Sequence, residues 1–179
     1  MKLVAFYRNV YLRQRGNPNR LQLEAAYLQA GATEAASFLS NGTLVFSVPA
    51  GLDIEAVKRR TGVLLQQEFG LREPAFTFEL GHLATLVAED PFAAFNDQVN
   101  IERSAAFFAH LPGELLPAAL ESPRKDCLIF RIDPGMAFAI RWQVHGGIGY
   151  PTPILEKALG RPVTTRNWNT ILRLVAKFG

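Results

Sequence analysis

Asn41-Gly42, set between the apolar runs Ala36 to Ser40 and Thr43 to Val48, constrains this chain more than any other feature. An Asn-Gly pair between two β-forming runs predicts a two-residue hairpin, because both turn residues must adopt positive φ. That fixes one antiparallel pair, against which the flanking elements have to pack. Before the hairpin, Lys2 to Arg8 is a short run of β-formers. Asn17-Pro18-Asn19 then supplies a turn and an N-cap to a helix marked by Leu21, Ala25 and Leu28 and stopped by Gly31. After the hairpin, Asp53 caps a helix carrying Ile54, Val57, Thr61, Leu64 and Leu65, which Gly70 ends. Gly62 inside it costs about 1 kcal/mol relative to Ala and is read as a mark of close packing. Pro74 precedes a strand from Ala75 to Leu80, so the first half reads β-α-β-β-α-β.

The second half starts after a helix that Gly81 opens, that runs through Leu83, Leu86 and Val87, and that stops near Asp90-Pro91. Ser104 to His110 reads as a buried strand and Glu114 to Leu120 as two helical turns. Cys127 to Ile132 and Met136 to Trp142 read as strands around Asp133-Pro134-Gly135. Thr152 and Pro153 give an N-cap and an N1 proline to a helix with Ile154, Leu155, Ala158 and Leu159, ended by Gly160. This half reads β-α-β-β-α plus a C-terminal helix, the order of the first without its last strand. The expected class is α+β, with tandem ferredoxin-like halves over residues 1–91 and 92–179 forming one compact unit.

The last helix is expected to begin at Thr164-Thr165-Arg166-Asn167-Trp168-Asn169-Thr170, the densest run of polar, hydrogen-bonding side chains in the chain. A Thr at the N-cap satisfies one first-turn N–H, and Trp168, Ile171, Leu172 and Val175 fall on one buried face. An Arg in the first turn opposes the helix dipole unless an anion is near, so the turn reads either as an anion site or as a capped helix end whose Arg pairs with a carboxylate.

Charge points the same way. The net charge is only +3, but Arg8, Arg13, Arg15 and Arg20 cluster with no acid between them, and Lys157, Arg161, Arg166, Arg173 and Lys177 gather near the end, while Glu73 to Glu121 is acidic. If the two basic stretches meet they attract an anion; otherwise they are two solvated surfaces. Tyr7, Tyr11 and the arginines of the first loop interleave as single-stranded nucleic-acid contacts do, although no RRM signature is present. Gly146-Gly147-Ile148-Gly149 sits where backbone N–H groups cradle phosphate, but without a Walker lysine it reads rather as a flexible connection.

The remaining chemistry is sparse. His82, His110 and His145 are isolated from one another and from any ligand spacing, so no metal and no cofactor is expected. The lone Cys127 excludes an intramolecular disulfide and reads as a core strand residue. No apolar run is long enough to span a bilayer, and a cytoplasmic location is expected.

The run from Thr164 to Thr170, preceded by Leu155-Glu156-Lys157-Ala158-Leu159-Gly160, resembles the ending of the bacterial family called domain of unknown function 1697. Val4 to Arg8 resembles its opening strand, Leu23 to Gly31 its first helix and Ser37 to Phe46 its hairpin. The resemblance implies a cytosolic tandem ferredoxin-like protein and no known activity, substrate or cofactor. The family's first loop reads Arg-Gly-Ile-Asn-Val-Gly-Gly; here Arg8 matches, while Asn9, Tyr11, Arg13 and Gln14 replace Gly, Asn, Gly and Gly, which removes a close backbone approach. Gly149-Tyr150-Pro151-Thr152-Pro153 is shorter than the family's Gly-Arg-Ser-Lys-Leu region and lacks its lysine.

The functional expectation is an anionic, phosphorylated small molecule bound at the start of the C-terminal helix by Arg8, Thr164, Thr165, Arg166, Asn167 and Asn169. The alternatives are single-stranded nucleic-acid binding and a protein-interaction module, with a homodimer among its forms; a membrane partner is not expected.

Overall fold

The computed structural model describes residues 1–179. The chain divides into two compact units, Met1–Leu83 with Phe178–Gly179, and Ala84–Lys177.

The first unit runs β1 (Lys2–Tyr7), α1 (Arg20–Ala30), β2 (Glu34–Phe38), β3 (Thr43–Ser47), α2 (Ile54–Phe69) and β4 (Ala75–Glu79), the predicted order. Its strands form an antiparallel sheet in the order β2-β3-β1-β4. Register pairs Leu3 with Phe46 and Ala5 with Leu44, placing those four on the face that packs against Leu23 and Tyr27 of α1 and Val57 and Leu65 of α2. Val4 and Phe6 on the opposite face are also fully buried, which explains why β1 is apolar without alternation.

Local signals placed the helix ends. Asn19 and Gln22 form a reciprocal capping box on α1, Asp53 caps α2, and Gly31 and Gly70 close the two helices in left-handed conformation. The buried face of α1 differs from the expectation: Leu21 and Leu28 are exposed, and Leu23, Ala26, Tyr27 and Ala30 face the core. Gly62 is corrected too, since nothing lies within 4 Å of where its Cβ would be. The turn at Asn41-Gly42 is not the two-residue form. Phe38 pairs with Thr43, leaving residues 39–42 as the loop, with positive φ at Leu39 (60°) and Gly42 (66°).

Helix α3 (Leu80–Glu89) begins in the first unit and continues into the second, where a single 3-10 turn follows at Ala93–Phe95. The second unit then contains β5 (Ile101–Phe108), β6 (Leu120–Glu121), β7 (Cys127–Asp133), β8 (Met136–Val144), β9 (Gly147–Ile148), α4 (Pro151–Leu159), β10 (Val163–Asn167) and α5 (Trp168–Phe178). Its sheet is antiparallel in the order β10-β5-β8-β7-β6, with β9 pairing β8 off that path.

Four expectations for this half are corrected. Glu114 to Leu120 forms no helix; Pro117 interrupts it and only Leu116 and Leu120 pack inward, so no apolar face exists to stabilise one. A last strand is present, because β10 pairs with the edge of β5 from Val163↔Phe108 to Asn167↔Ser104. The final helix therefore starts at Trp168, four residues later than the Thr164 cap reading, and buries Trp168, Ile171 and Leu174 while Leu172 is exposed. Pro151, rather than Pro153, opens α4.

Leu155 of α4 packs on one face of this sheet against Ala106, Ile129 and Ala139. On the other face Phe92 lies 5.4 Å from Phe130, 6.0 Å from Phe138 and 5.2 Å from Trp168, ring centre to ring centre. A bulge between Ile129 and Arg131 supplies the extra residue, Phe130, that joins this aromatic cluster. No helix is long and apolar enough to cross a membrane.

Candidate functional site

Side chains alternate across a strand, so the polar run on β10 is divided between two faces. Thr164 lies opposite Phe107 and Arg166 opposite Ala105, on the aromatic side of the sheet; Thr165 lies opposite Ala106, on the side of α4. There the Thr165 and Thr152 hydroxyls share a hydrogen bond of 2.8 Å. Arg166 is only 6% exposed, and its Nη1 donates to Thr164 Oγ1 at 2.8 Å and to the Thr165 carbonyl at 2.9 Å. A guanidinium held this way is built into the strand. Asn167, not a threonine, caps α5: its Oδ1 accepts from the Asn169 N–H at 2.9 Å. Asn167 and Asn169 are exposed.

Arg8 belongs to the first unit and the other five expected residues to the second. At the end of β1 its Nη1 donates to Glu73 Oε2 at 3.0 Å, and Asn9 Nδ2 reaches the other oxygen of the same carboxylate at 3.4 Å.

The first loop is pinned to the hairpin. Tyr7 N–H donates to the Gly42 carbonyl at 2.8 Å and Leu12 N–H to the Ser40 carbonyl at 2.9 Å. A Cβ on Gly42 would stand 2.9 Å from Cβ of both Tyr7 and Val10, so the two segments approach as closely as a glycine allows. Tyr7 and Tyr27 are buried with their hydroxyls 3.0 Å apart, and burial raises both pKa values, so both stay neutral. Tyr11 instead is 56% exposed.

This closure leaves a hollow of about 560 Å³ lined by Leu12, Arg13, Asn19, Arg20, Leu39 and Ser40. Arg20 is the first residue of α1, whose first turn contains no acid, and neither Arg13 nor Arg20 forms an ion pair or side-chain hydrogen bond. The basic run in the sequence signalled these arginines. The approach of Leu39 and Ser40, which completes the hollow, depends on the four-residue turn and had no sequence signal.

In the glycine run after β8, Gly149 has a packing role. Gly147 pairs with Val144, and a Cβ on Gly147 would meet the Arg124 guanidinium at 2.5 Å, one on Gly149 the Asp126 carboxylate at 2.5 Å. Cys127 is buried, and burial followed by the neighbouring Asp126 charge pushes its thiol up to about 11, opposite to an activated nucleophile. No group of three or more His, Cys, Asp or Glu side chains converges.

A family model described as "Protein of unknown function (DUF1697)" matches residues 1–131. The chain belongs to this family. The matched part contains Arg8, the first loop, the hairpin and the hollow between them, and ends within β7; the Thr164 to Thr170 run of this DUF1697 chain lies beyond it. Among solved structures, a conserved bacterial protein from Streptococcus pneumoniae superposes with a TM-score of 0.66 over 98% of this chain and 97% of its own, at 10% identity, which shows a shared fold. No curated protein matches the chain.

Proposed function

We propose that this DUF1697 protein binds an anionic, phosphorylated small molecule in a cytosolic setting, and that the hollow between the first loop and the hairpin is its site. The observation that carries the reading is the pair Arg13 and Arg20, two cations without protein partners, bordering a hollow of about 560 Å³ at the N-terminus of α1. That volume lies within the range of small-molecule pockets, and a helix N-terminus adds positive potential to two guanidinium groups. The start of α5 is the competing location: Asn167 and Asn169 are exposed there, with Thr165 half-buried beside Thr152. The lone buried Cys127 supports a reducing compartment. The sheet orders β4-β1-β3-β2 and β10-β5-β8-β7 support the tandem ferredoxin-like reading, with a loop and β6 replacing the first helix of the second half, over 1–91 and 92–179.

The test is a thermal-melt panel of wild type, Arg13→Ala, Arg20→Ala and Asn169→Ala with phosphate, nucleotides and sugar phosphates. A ligand at a hundredfold excess over its Kd stabilises by about 2.7 kcal/mol. A shift lost in Arg13→Ala and Arg20→Ala and kept in Asn169→Ala supports the hollow. Loss only in Asn169→Ala moves the site to α5, and no shift with any anion refutes the reading.

A second reading, single-stranded nucleic acid, is favoured by one observation: Tyr11 is exposed beside the exposed Arg13 and Arg15. Oligonucleotide affinity that falls steeply with salt and drops in Tyr11→Ala supports it, since released counterions set the slope.

A further inference from the structure

The second unit contains a larger cleft that neither basic stretch touches. The aromatic cluster of Phe92, Phe130, Phe138 and Trp168 covers one end of the sheet face opposite α4. Towards the start of β5 the same face continues: register pairs Ile101 with Trp142 and Leu128 with Ile140. Here the floor stays open as a cleft of about 1110 Å³, walled by the segment from Phe95 to Asn100 on one side and by Gly146 and Gly147 on the other. The glycines keep that wall low, and the exposed Arg124 guanidinium lies where a Cβ on Gly147 would stand.

The lining has a definite chemistry. Trp142 is half-buried on the floor; its ring stacks on no other ring and its indole N–H donates to no protein group. Gln98 and Asn100 border the cleft, and neither side-chain amide is bonded within the protein. Each amide offers both a donor and an acceptor. The one charged group in the lining, Glu102, is answered by Arg141 Nη2 at 2.5 Å. A neutral lining excludes the recognition of phosphate, while an aromatic floor with two open amides matches a flat ring bearing amide-like edges.

We infer that the Trp142 cleft is a second binding site, for an uncharged planar heterocycle of the lactam or nucleobase type, recognised by the indole and by the Gln98 and Asn100 amides. It lies wholly within the second unit and stands independently of the anion site.

Tryptophan fluorescence tests it directly. The chain has two tryptophans, and Trp168 is sealed in the aromatic cluster, so a ligand in the cleft quenches Trp142. Full-length protein is titrated with uracil, adenine, nicotinamide and lumichrome to about 1 mM, the weak limit of useful affinity, with cyclohexanol and inorganic phosphate as controls. The expected result is saturable quenching by at least one heterocycle and by neither control, weakened at least threefold in the exposed-side-chain variants Gln98→Ala and Asn100→Ala. In Trp142→Phe the quench is lost, and ligand-induced melting shifts of wild type and variant report binding separately from the fluorophore. No saturable quench from any of the four probes overturns the inference. So does a response that cyclohexanol reproduces or that both amide variants leave unchanged.

Discussion

Gly42 and Gly62 make the same substitution opposite in sign. An alanine at Gly42 keeps φ near 66°, a left-handed conformation that costs an L-residue about 1–2 kcal/mol. Its Cβ also meets Tyr7 Cβ and Val10 Cβ at 2.9 Å and the Val10 carbonyl at 3.0 Å. Two of those atoms are tied to the β1 backbone and the first loop, so they yield only by moving the loop, an overpacking cost of about 1–3 kcal/mol. Together the two effects predict a loss of about 3 kcal/mol for Gly42→Ala. Gly62 sits mid-way along α2 with nothing near its Cβ position, and Gly62→Ala gains about 1 kcal/mol through helix propensity. Urea unfolding of the two variants beside wild type reads both, with a midpoint displacement of ~1.5 M for Gly42→Ala at a slope of ~2 kcal/mol per M. Because Gly42 holds the first loop beside Ser40, the same variant also weakens any anion bound between Arg13 and Arg20. A Gly42→Ala protein as stable as wild type, or a destabilised Gly62→Ala, refutes the reasoning from close approach.

Two further perturbations follow from charged groups with assigned partners. Arg166→Ala leaves Thr164 Oγ1 and the Thr165 carbonyl without their donor inside β10, and a loss of about 2 kcal/mol is expected in urea unfolding; an unchanged midpoint contradicts a structural guanidinium. Glu114 is held below its ordinary value of 4.5, first by its hydrogen bond from Arg161. A lowered folded-state pKa contributes stability that is present above the unfolded value and lost as pH falls through the folded one. Unfolding midpoints measured between about pH 5 and pH 3 therefore fall less steeply in Glu114→Gln than in wild type, and equal slopes refute the assignment.

The elements that were legible in advance are those specified by local signals. Asn19, Asp53, Gly31, Gly70 and Gly160 each act within a turn of their own position; the first two start helices and the three glycines end them where expected. The face of α1 was illegible for a physical reason. Leu23, Ala26, Tyr27 and Ala30 share the buried face, and its two alanines carry little apolar signal, while the larger Leu21 and Leu28 stay outside. Strand β10 hid behind its composition: an edge strand alternates, and here both alternating sets are polar beyond Val163, so Val163-Thr164-Thr165 read as the approach to a helix.

The same alternation governs what polar density means for a site. In the Thr164 to Thr170 run, threonines, an arginine and two asparagines sit within seven residues, yet strand geometry sends Thr164 and Arg166 one way and Thr165 the other. Their hydrogen-bonding capacity then turns inward, Arg166 to Thr164, Thr165 to Thr152 and Asn167 to the first turn of α5. The arginines of the first loop are spread over more sequence but stand on a loop and a helix start, where no period forces them apart. Arg13 and Arg20 border one hollow and neither finds a carboxylate. A buried charge answered by its own strand specifies how that strand sits; an exposed charge left unanswered beside a concavity retains its capacity for a ligand. Partnering, which only the fold reveals, is therefore the property that separates the two basic stretches.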